Sequence, residues 1–282
     1  MGRVVQRVMG TVVSIDVVGL DSDDEAVAAG SVMSWLHHVD AVFSVHRADS
    51  VVSRAGRSGV MLTDLLPGSD RDDLCEVIER CESLRVLSDG VFDAWAVPGP
   101  DGVRFDPSGY VKGWAVTRAA EIIRAAGATG WCINAGGDIS VGGLDATGCR
   151  WRIGLQHPDH RDGIVLVAEL PTDVNGDGPT AAAIATSGSY ERGAHVVDAR
   201  FGTYCTELGS ATVAGPSLAE ADAFATVVYA MGAEGLAWLA GRAGEAGYEG
   251  CIVTRDGRLL TTPGFDLLVP AWRHPVGASP LP

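Results

Sequence analysis

A single carboxylate, Asp138, stands within the glycine-rich and apolar stretch INAGGDISVGG. The two glycines before it permit positive φ angles and allow the backbone to approach a ligand closely. The carboxylate can accept hydrogen bonds either from such a ligand or from the amides of its own turn. The residue types therefore indicate a binding turn or a purely structural turn, and both interpretations stay open at this point.

Hydroxyl side chains, a histidine and an aspartate are grouped in a second stretch, ATSGSYERGAHVVD. The hydroxyls of Thr186 and Ser187 beside Gly188 can bind phosphate together with free backbone amides, without any positive charge. His195 and Asp198 follow at a spacing that a β-hairpin can fold back. The same letters permit a serine hydrolase, but the sharp turn that exposes such a nucleophile is missing. A histidine bonded to the backbone within a strand is the structural alternative for His195.

A third pattern, EADAFAT, places Asp222 and Thr226 four residues apart on a predicted helix. Side chains at this spacing share one helix face, so their oxygens can reach one hard cation such as Mg²⁺. The alternative is that Glu220 and Asp222 only stabilise the first turn of the helix through its dipole. Lys112 lies near the start of another predicted helix, where the dipole disfavours a cation, and this indicates an interaction with some other group.

Other motifs with a chemical meaning are incomplete. The loop PTDVNGDGPT matches the first half of an EF-hand, but Ile184 stands where a bidentate glutamate is needed, so a surface turn is favoured. The HPDH stretch lacks a third zinc ligand nearby and indicates a solvated turn. No dinucleotide-binding glycine motif follows a strand, and the sequence contains neither a P-loop nor a hydrolase nucleophile elbow.

The chain of 282 residues carries a formal net charge of -15. This charge repels phosphate backbones and anionic lipid headgroups, which argues against binding to nucleic acid or to a membrane surface. No apolar run approaches the roughly 20 residues of a membrane helix, and the N-terminus shows neither a secretion signal nor a cysteine for lipidation. The six cysteines have no zinc-like spacing, which favours reduced thiols. We therefore expect a soluble, cytoplasmic protein without membrane insertion.

Interleaved strands and helices predict one α+β unit. The β-branched opening predicts a strand pair around Met9-Gly10-Thr11, and WCINAGGDISVGG, WRIGLQHP and IVLVAEL predict three successive strands. One helix should follow DPSGY and end at Gly127, and a hairpin should turn at Asp256-Gly257. No linker or internal repeat divides the chain, so we expect one domain over 1–270 and a tail at 271–282. Apolar residues at three and four spacing predict further helices at about 24–43, 69–87, 217–231 and 232–243.

Six segments in the right order resemble the ApbE-like flavin transferases, the FAD:protein FMN transferases. These segments are MGTVVSIDV, DSVVSRA, DPSGYVKGWAV, NAGGDISVGG, ATSGSYERGAHVVDARFG and ATVAGPSLAEADAFATVVYAMG. The resemblance runs from near Met9 to about Gly232. It implies one α+β domain of two lobes, with mixed or antiparallel sheets and flanking helices. It further implies that FAD lies in a cleft between the lobes, with Mg²⁺ at its pyrophosphate.

The resemblance also implies a role for each matching residue. It implies a metal site formed by Asp222, Thr226 and a backbone carbonyl near Val111 in the GYVKG turn. It implies catalytic positions at His195 and Asp198, the histidine as the hypothetical base for an acceptor hydroxyl and the aspartate orienting it or binding the cofactor. The implied FAD contacts, the last three in a phosphate-side loop, are Met9, Gly10, Thr11, Asp106, Lys112, Asn134, Gly136, Gly137, Asp138, Thr186, Ser187 and Gly188.

The family's reaction implies that a Thr or Ser hydroxyl of another protein attacks the FMN-side phosphorus of FAD and expels AMP, with magnesium stabilising the leaving group. The family's acceptors carry a Ser/Thr-Gly-Ala-Thr-like sequence. This chain offers only AGAT, at 126–129 and at a helix end, so the acceptor protein is expected in trans. An FAD pyrophosphatase, in which water replaces the hydroxyl, and a non-catalytic FAD-binding protein are the alternatives.

The chain departs from the family pattern at three places. His46 stands where the family often has an aromatic residue, and Ser108-Gly109 stands where it has two glycines. Ala199 replaces the proline that follows the aspartate of the HVVD segment. These changes leave the implied phosphate and metal positions intact and affect base stacking and local turn geometry.

Overall fold

The computed structural model describes residues 3–58, 69–99, 102–160, 162–175, 178–188 and 196–269. Strands form in segments rich in β-branched residues and glycine, and helices form where apolar residues recur every three or four positions. In chain order the elements are β1 Arg3–Val8, β2 Thr11–Val18, α1 Ser22–Phe43, α2 Val51–Ser58, α3 Ser69–Leu87, β3 Val97–Gly99, β4 Gly102–Arg104, α4 Ser108–Ala125, β5 Gly130–Ala135, β6 Asp138–Gly143, β7 Arg152–Gln156, β8 Ile164–Glu169, β9 Val174–Asn175, β10 Gly178–Pro179, β11 Ala181–Gly188, β12 Val197–Asp198, β13 Thr203–Tyr204, β14 Leu208–Gly215, α5 Leu218–Met231, α6 Gly235–Ala243, β15 Glu249–Thr254 and β16 Leu259–Thr261.

A central antiparallel sheet of eight strands carries the fold, in the order β1-β2-β5-β6-β11-β14-β15-β16. Helices α4 and α5 pack on one face of the sheet, with α1 next to β1 and α6 next to β15. The β7–β8 hairpin packs on the other face, where Ile153 and Leu155 meet Val141 and Ile184 in a second apolar core. The middle strands are buried on both faces, so they show no alternation of buried and exposed residues. The predicted α+β class with an antiparallel sheet and flanking helices is confirmed.

The stretch that contains Asp138 folds as a hairpin, so the prediction of a single strand for WCINAGGDISVGG was wrong. Gly136 and Gly137 both have positive φ angles, 65° and 96°, and connect β5 to β6. Two successive left-handed residues form the two-residue turn that matches the twist of antiparallel strands. Ala135 pairs with Asp138 across this turn, so the carboxylate sits on the first residue of β6.

The turn between β1 and β2 lies beside the β5–β6 turn, at the same end of the sheet. Met9 and Gly10 both have positive φ angles, 53° and 71°, which confirms the predicted strand pair. A left-handed methionine is uncommon and costs conformational energy, so this turn is held in place by its surroundings. A Cβ atom on Gly136 would overlap the Thr11 side chain, which shows that the two turns need a glycine where they meet.

Helices α4 and α5 approach each other closely because α4 contains Gly113. A Cβ atom at this position would overlap the Leu218 carbonyl and crowd Asp222. The contact is fixed by polar bonds as well, since the Ala219 backbone N–H donates to Thr117 Oγ1 at 3.1 Å. The close crossing places Gly113 against the start of α5, and it places Gly109, in the first turn of α4, next to Thr226 further along α5.

The described cysteines are all free thiols, as the sequence predicts. Burial raises the pKa of Cys81, Cys132 and Cys251 to about 12.

In the part of the chain that the structure describes, one helical stretch, Leu218–Ala246, has the length and composition of a membrane-crossing segment. Half of the apolar part of this stretch is buried in the fold. The predicted tail at 271–282 lies outside the described residues, and the domain boundary stays a prediction.

Candidate functional site

A cleft of about 350 Å³ opens above the end of the sheet at which the β1–β2 and β5–β6 turns meet. Its walls include the first turn of α4, the end of β11, one face of α5, and the two small hairpins β3–β4 and β12–β13. The volume lies in the range of small-molecule sites. Of the residues implied by the resemblance, the cleft is lined by Thr11, Asp106, Lys112, Gly136, Thr186, Ser187, Gly188, Asp222 and Thr226.

A second cavity of about 370 Å³ adjoins this cleft and shares Gly136 and Thr186 with it. It lies between the main sheet and β7, and two more of the implied FAD contacts, Asn134 and Gly137, line it. Asn134 also fixes the turn, because its Oδ1 accepts the Gly137 backbone N–H at 2.9 Å. Met9 and Gly10 are in the wall of neither cavity and shape the neighbouring turn instead.

Asp138 is almost fully buried, with 1% of its surface exposed, and lies behind the cleft wall rather than in it. Its Oδ1 accepts the backbone N–H of Thr186 at 3.0 Å, which ties β6 to the end of β11. Its Oδ2 forms an ion pair with Lys112 Nζ. A buried carboxylate is stable only with such partners, so the carboxylate in the glycine-rich stretch joins three elements of the site.

Asp222 and Thr226 face the cleft from one side of α5, as the four-residue spacing predicts. Asp222 is buried, its Oδ2 accepts the Gly113 backbone N–H at 3.0 Å, and its Oδ1 lies 3.9 Å from Lys112 Nζ. The hydroxyls of Thr226 and Ser187 are 3.3 Å apart. Carboxylate and hydroxyl oxygens from α5 and β11 therefore converge on one point of the cleft.

The segment GYVKG belongs to the first turns of α4 and is not the turn that the sequence predicted. Val111 is a buried helical residue whose N–H donates to the Pro107 carbonyl at 2.9 Å, and it does not line the cleft. Gly109 does line the cleft, and a Cβ atom on it would lie 3.5 Å from Thr226 Oγ1. The Val111 carbonyl stays a prediction as a metal ligand, and Gly109 is the α4 residue that the geometry brings to Thr226.

The oxygen donors in the cleft fit a hard divalent cation. Among the residues that the structure describes, no three or more His, Cys, Asp or Glu side chains cluster as a complete metal site. Magnesium is commonly held by one or two carboxylates, further oxygens and the phosphates of a substrate, and it retains waters. Asp222, Thr226 and Ser187 supply this kind of donor set. The described lining of the cleft contains one histidine, His46, and no cysteine, so it does not match a thiolate- or imidazole-dependent metal.

Anion-binding groups surround the same point. The α4 helix begins at Ser108, and its first turn lines the cleft, so its positive dipole end faces the cavity. Asp106 Oδ1 accepts the Ser108 N–H at 3.1 Å and its Oδ2 accepts from Arg104 at 3.0 Å, which orders this helix start. The structure places Thr186, Ser187 and Gly188 in the last three residues of β11, rather than in the phosphate-side loop that was predicted.

The two implied catalytic residues have different outcomes. His195 lies outside the described residues. Asp198 is buried in the β12–β13 hairpin, and Arg200 binds both of its carboxylate oxygens, with the shortest contact at 2.7 Å. Its carboxylate therefore anchors the hairpin whose Val197 and Tyr204 form part of the cleft wall.

Several cleft residues were not predicted as site residues from the sequence. Most of them come from the β3–β4 and β12–β13 hairpins and from loops, three come from the start of α4 and the end of β5, and no catalytic motif marks them. The Trp95 and Phe105 rings contact each other with their centroids 4.3 Å apart and a tilt of 37°, and Phe105 lies in sequence between the lining residues Arg104 and Asp106. The additional lining residues are His46, Phe92, Asp93, Ala94, Val97, Pro98, Arg104, Ser108, Gly109, Ala135, Val196, Val197 and Tyr204.

Comparisons with known proteins agree with this geometry. The model of the ApbE family matches residues 9–99 and 95–248 of the chain. A Salmonella typhimurium protein named FAD:protein FMN transferase is 24% identical over 81% of this chain and 78% of its own length. An Escherichia coli protein of the same name is 27% identical over 70% of this chain, and the match spans only 55% of that protein.

Solved structures show the same fold. The flavin transferase ApbE from Vibrio cholerae superimposes with a TM-score of 0.75, at 22% identity, over 95% of this chain and 99% of that chain. The ApbE protein from Thermotoga maritima superimposes with a TM-score of 0.76, also at 22% identity, over 95% of this chain and 99% of that chain.

Proposed function

Since this chain belongs to the ApbE family, we propose that it is a magnesium-dependent FAD:protein FMN transferase. Enzyme class and substrate follow from the family and from the names of the curated relatives. The observation that carries the finer proposal is the meeting of Asp222, Thr226 and Ser187 oxygens with Lys112 and the first turn of α4 in one cleft. Such a combination of hard oxygen donors and anion-binding groups suits a cation bound to a pyrophosphate.

The phosphates of FAD would bind between α4 and the end of β11. The chain as a whole carries a net charge of -15, so the attraction for phosphate has to be local. The amides at the start of α4, the Lys112 ammonium and the Ser187 hydroxyl provide it. Lys112 remains partly exposed, with 24% of its side chain accessible, so it can face both its carboxylate partners and a bound anion.

Magnesium would bind at Asp222 and Thr226, with Gly109 as the α4 residue next to Thr226 and Ser187 as a further oxygen donor. When bound, the cation would neutralise charge on the pyrophosphate and on the AMP leaving group. The protein holds the site in shape through the Gly113 N–H, which fixes Asp222 Oδ2 at 3.0 Å. This arrangement leaves Asp222 Oδ1 as the carboxylate oxygen directed toward a cation.

The transfer itself exchanges one phosphorus–oxygen bond for another. The acceptor oxygen bonds to the FMN-side phosphorus, the bond from that phosphorus to the bridging oxygen breaks, and AMP leaves with the electron pair. The proton of the acceptor hydroxyl goes to a base, for which we propose His195. Because Arg200 occupies the Asp198 carboxylate, we assign Asp198 the task of anchoring the hairpin that follows His195 rather than that of orienting the imidazole.

The acceptor is proposed to be a separate protein with a Ser/Thr-Gly-Ala-Thr-like segment. Thr129, the hydroxyl residue of the chain's own AGAT, is exposed and lies just before β5, whereas Gly136 at the cleft follows β5. A strand of six residues spans roughly 17 to 20 Å, so Thr129 and the cleft lie at opposite ends of it. A cytoplasmic setting is proposed as well, since six free cysteines are usual in a reducing compartment.

The experiment measures AMP release from FAD by the purified protein, with Mg²⁺ or with chelator, and with or without an acceptor domain that carries the motif. AMP together with covalent flavin on the acceptor, both lost on chelation, is the expected result. AMP and free FMN regardless of the acceptor would instead establish an FAD pyrophosphatase, and bound FAD without AMP would establish a binding protein. Asp222→Ala should abolish metal-dependent release, and Asp89→Asn, an exposed carboxylate outside the cleft, should leave it intact.

A further inference from the structure

One lysine lies between two buried carboxylates that come from different elements. Lys112 Nζ on α4 forms an ion pair with Asp138 Oδ2 at the start of β6 and lies 3.9 Å from Asp222 Oδ1 on α5. The side chains of Asp138 and Asp222 are 1% and 6% exposed. At such burial the attraction between charges is much stronger than in water, so the position of this ammonium matters to both carboxylates.

The two carboxylates hold the ammonium unequally. Asp138 is held in place by the oxygen that does not contact the lysine, because its Oδ1 accepts the Thr186 N–H at 3.0 Å. Asp222 is fixed in the same manner, because its Oδ2 accepts the Gly113 N–H at 3.0 Å and its Oδ1 is directed to the lysine. The ammonium is in contact with Asp138 and only loosely paired with Asp222.

We propose that Asp138 is a positioning residue that keeps the Lys112 ammonium away from Asp222 Oδ1, so that this oxygen can bind the divalent cation. The inference rests on the proposed function, which places the metal at Asp222. Asp138 is absent from the walls of both cavities, so it acts through Lys112 and not on FAD. If Asp138 lost its charge, the Lys112 ammonium would turn to the buried Asp222 carboxylate and compete with the cation.

A cycle of four proteins tests this idea through metal binding and not through activity. Mn²⁺ serves as the probe, and electron paramagnetic resonance of the free ion gives its dissociation constant, first without FAD and then with FAD but without acceptor. The proteins are the wild type, Asp138→Asn, Lys112→Gln and the double variant. Asp222→Ala defines the signal that belongs to the site, and Asp89→Asn serves as the exposed control.

Asp138→Asn should weaken Mn²⁺ binding about fivefold or more in the wild-type background, and hardly at all once Lys112 is glutamine. Without FAD, Lys112→Gln alone should bind Mn²⁺ at least as tightly as the wild type. If Asp138→Asn lowers the affinity by the same factor in both backgrounds, or leaves it unchanged, the inference is overturned while the metal site stands. Wild-type protein that binds no more Mn²⁺ than Asp222→Ala overturns the metal assignment and the inference with it.

Folding of each variant is checked by circular dichroism and thermal unfolding. If Asp138→Asn alone does not fold, the double variant, in which two neutral amides replace the ion pair, still decides the question. Its dissociation constant must equal that of Lys112→Gln. A clearly weaker double variant would show that Asp138 supports the metal site independently of the lysine.

Discussion

The backbone N–H of Gly113 donates to Asp222 Oδ2 at 3.0 Å, across the crossing of α4 and α5. In a regular helix this N–H would bond to the carbonyl of Gly109, the α4 residue that lines the cleft next to Thr226. The bond to Asp222 joins the helix that faces the phosphates to the helix that carries the candidate metal ligands. A single glycine thus links the packing of the two helices to the geometry of the site.

Gly113→Ala should destabilise the protein and disturb the site together. The added methyl would overlap the Leu218 carbonyl and press on Asp222, which costs about 1–3 kcal/mol of unfolding free energy. Chemical denaturation and Mn²⁺ titration measure the two effects. Gly241→Ala is the matched control, because this helical glycine in α6 is exposed and has nothing within 4 Å. It should be neutral or stabilising by up to about 1 kcal/mol, and an equal loss in both variants would contradict the close-packing argument.

Thr226→Val should reduce metal-dependent AMP release at least about tenfold and raise the Mg²⁺ concentration needed for half-maximal rate. Valine keeps the shape of threonine but removes the hydroxyl that lies 3.3 Å from Ser187 Oγ and faces the cleft. Initial rates of AMP release over a range of Mg²⁺ concentrations provide the measurement. Thr203→Val, at an exposed position in β13, should behave like the wild type. An unchanged Mg²⁺ dependence in Thr226→Val would remove this residue from the metal site.

Many of the site residues could be predicted because they lie close to one another in the sequence. Asp222 and Thr226 share a helix face, and Gly136 and Gly137 form a turn, so neighbours in the sequence carry the information. The interpretation of the β5–β6 stretch as one strand failed because two glycines in an apolar run fit a bulge as well as a reversal.

Contacts between distant segments could not be read from the sequence. The cleft wall formed by Pro98 and Tyr204 depends on where the β3–β4 and β12–β13 hairpins dock, which no periodicity encodes. Asp138 could be a ligand-binding or a structural residue until its two partners, 26 and 48 positions away, were seen.

Gly136→Ala should impair both folding and FAD binding. The position has φ 65°, which costs an alanine about 1–2 kcal/mol, and the new methyl would also overlap the Thr11 side chain. Unfolding free energy and FAD affinity, the latter from flavin fluorescence, are the measurements. Gly137→Ala is the matched control, since it has φ 96° but nothing within 4 Å. Gly137→Ala should lose only the unfolding free energy that the positive φ angle costs an alanine. Equal effects of both substitutions would argue against a tight contact between the turns.

Stability should fall in alkali because three buried thiols resist ionisation. Burial raises the pKa of Cys81, Cys132 and Cys251 from 9.0 to about 12. The folded state then retains protons that the unfolded chain releases, so the contribution of each thiol is complete below pH 9 and is lost as the pH rises toward 12. Denaturation midpoints between pH 8 and about pH 11 should decline, and Cys251→Ala should make the decline shallower. Cys149→Ala, which removes an exposed thiol, should leave the slope unchanged.

The chain should not flavinylate itself. Thr129 is exposed but follows α4 at the far end of β5 from the cleft, and its hydroxyl lies 3.4 Å from the Val18 carbonyl. Incubation with FAD and Mg²⁺, followed by intact-mass spectrometry, should leave the mass of the chain unchanged. An acceptor domain with a Ser/Thr-Gly-Ala-Thr-like segment, added to the same mixture, should gain FMN, and its Thr→Ala variant should not. A flavin adduct at Thr129 that Thr129→Ala removes would contradict a transfer that works only in trans.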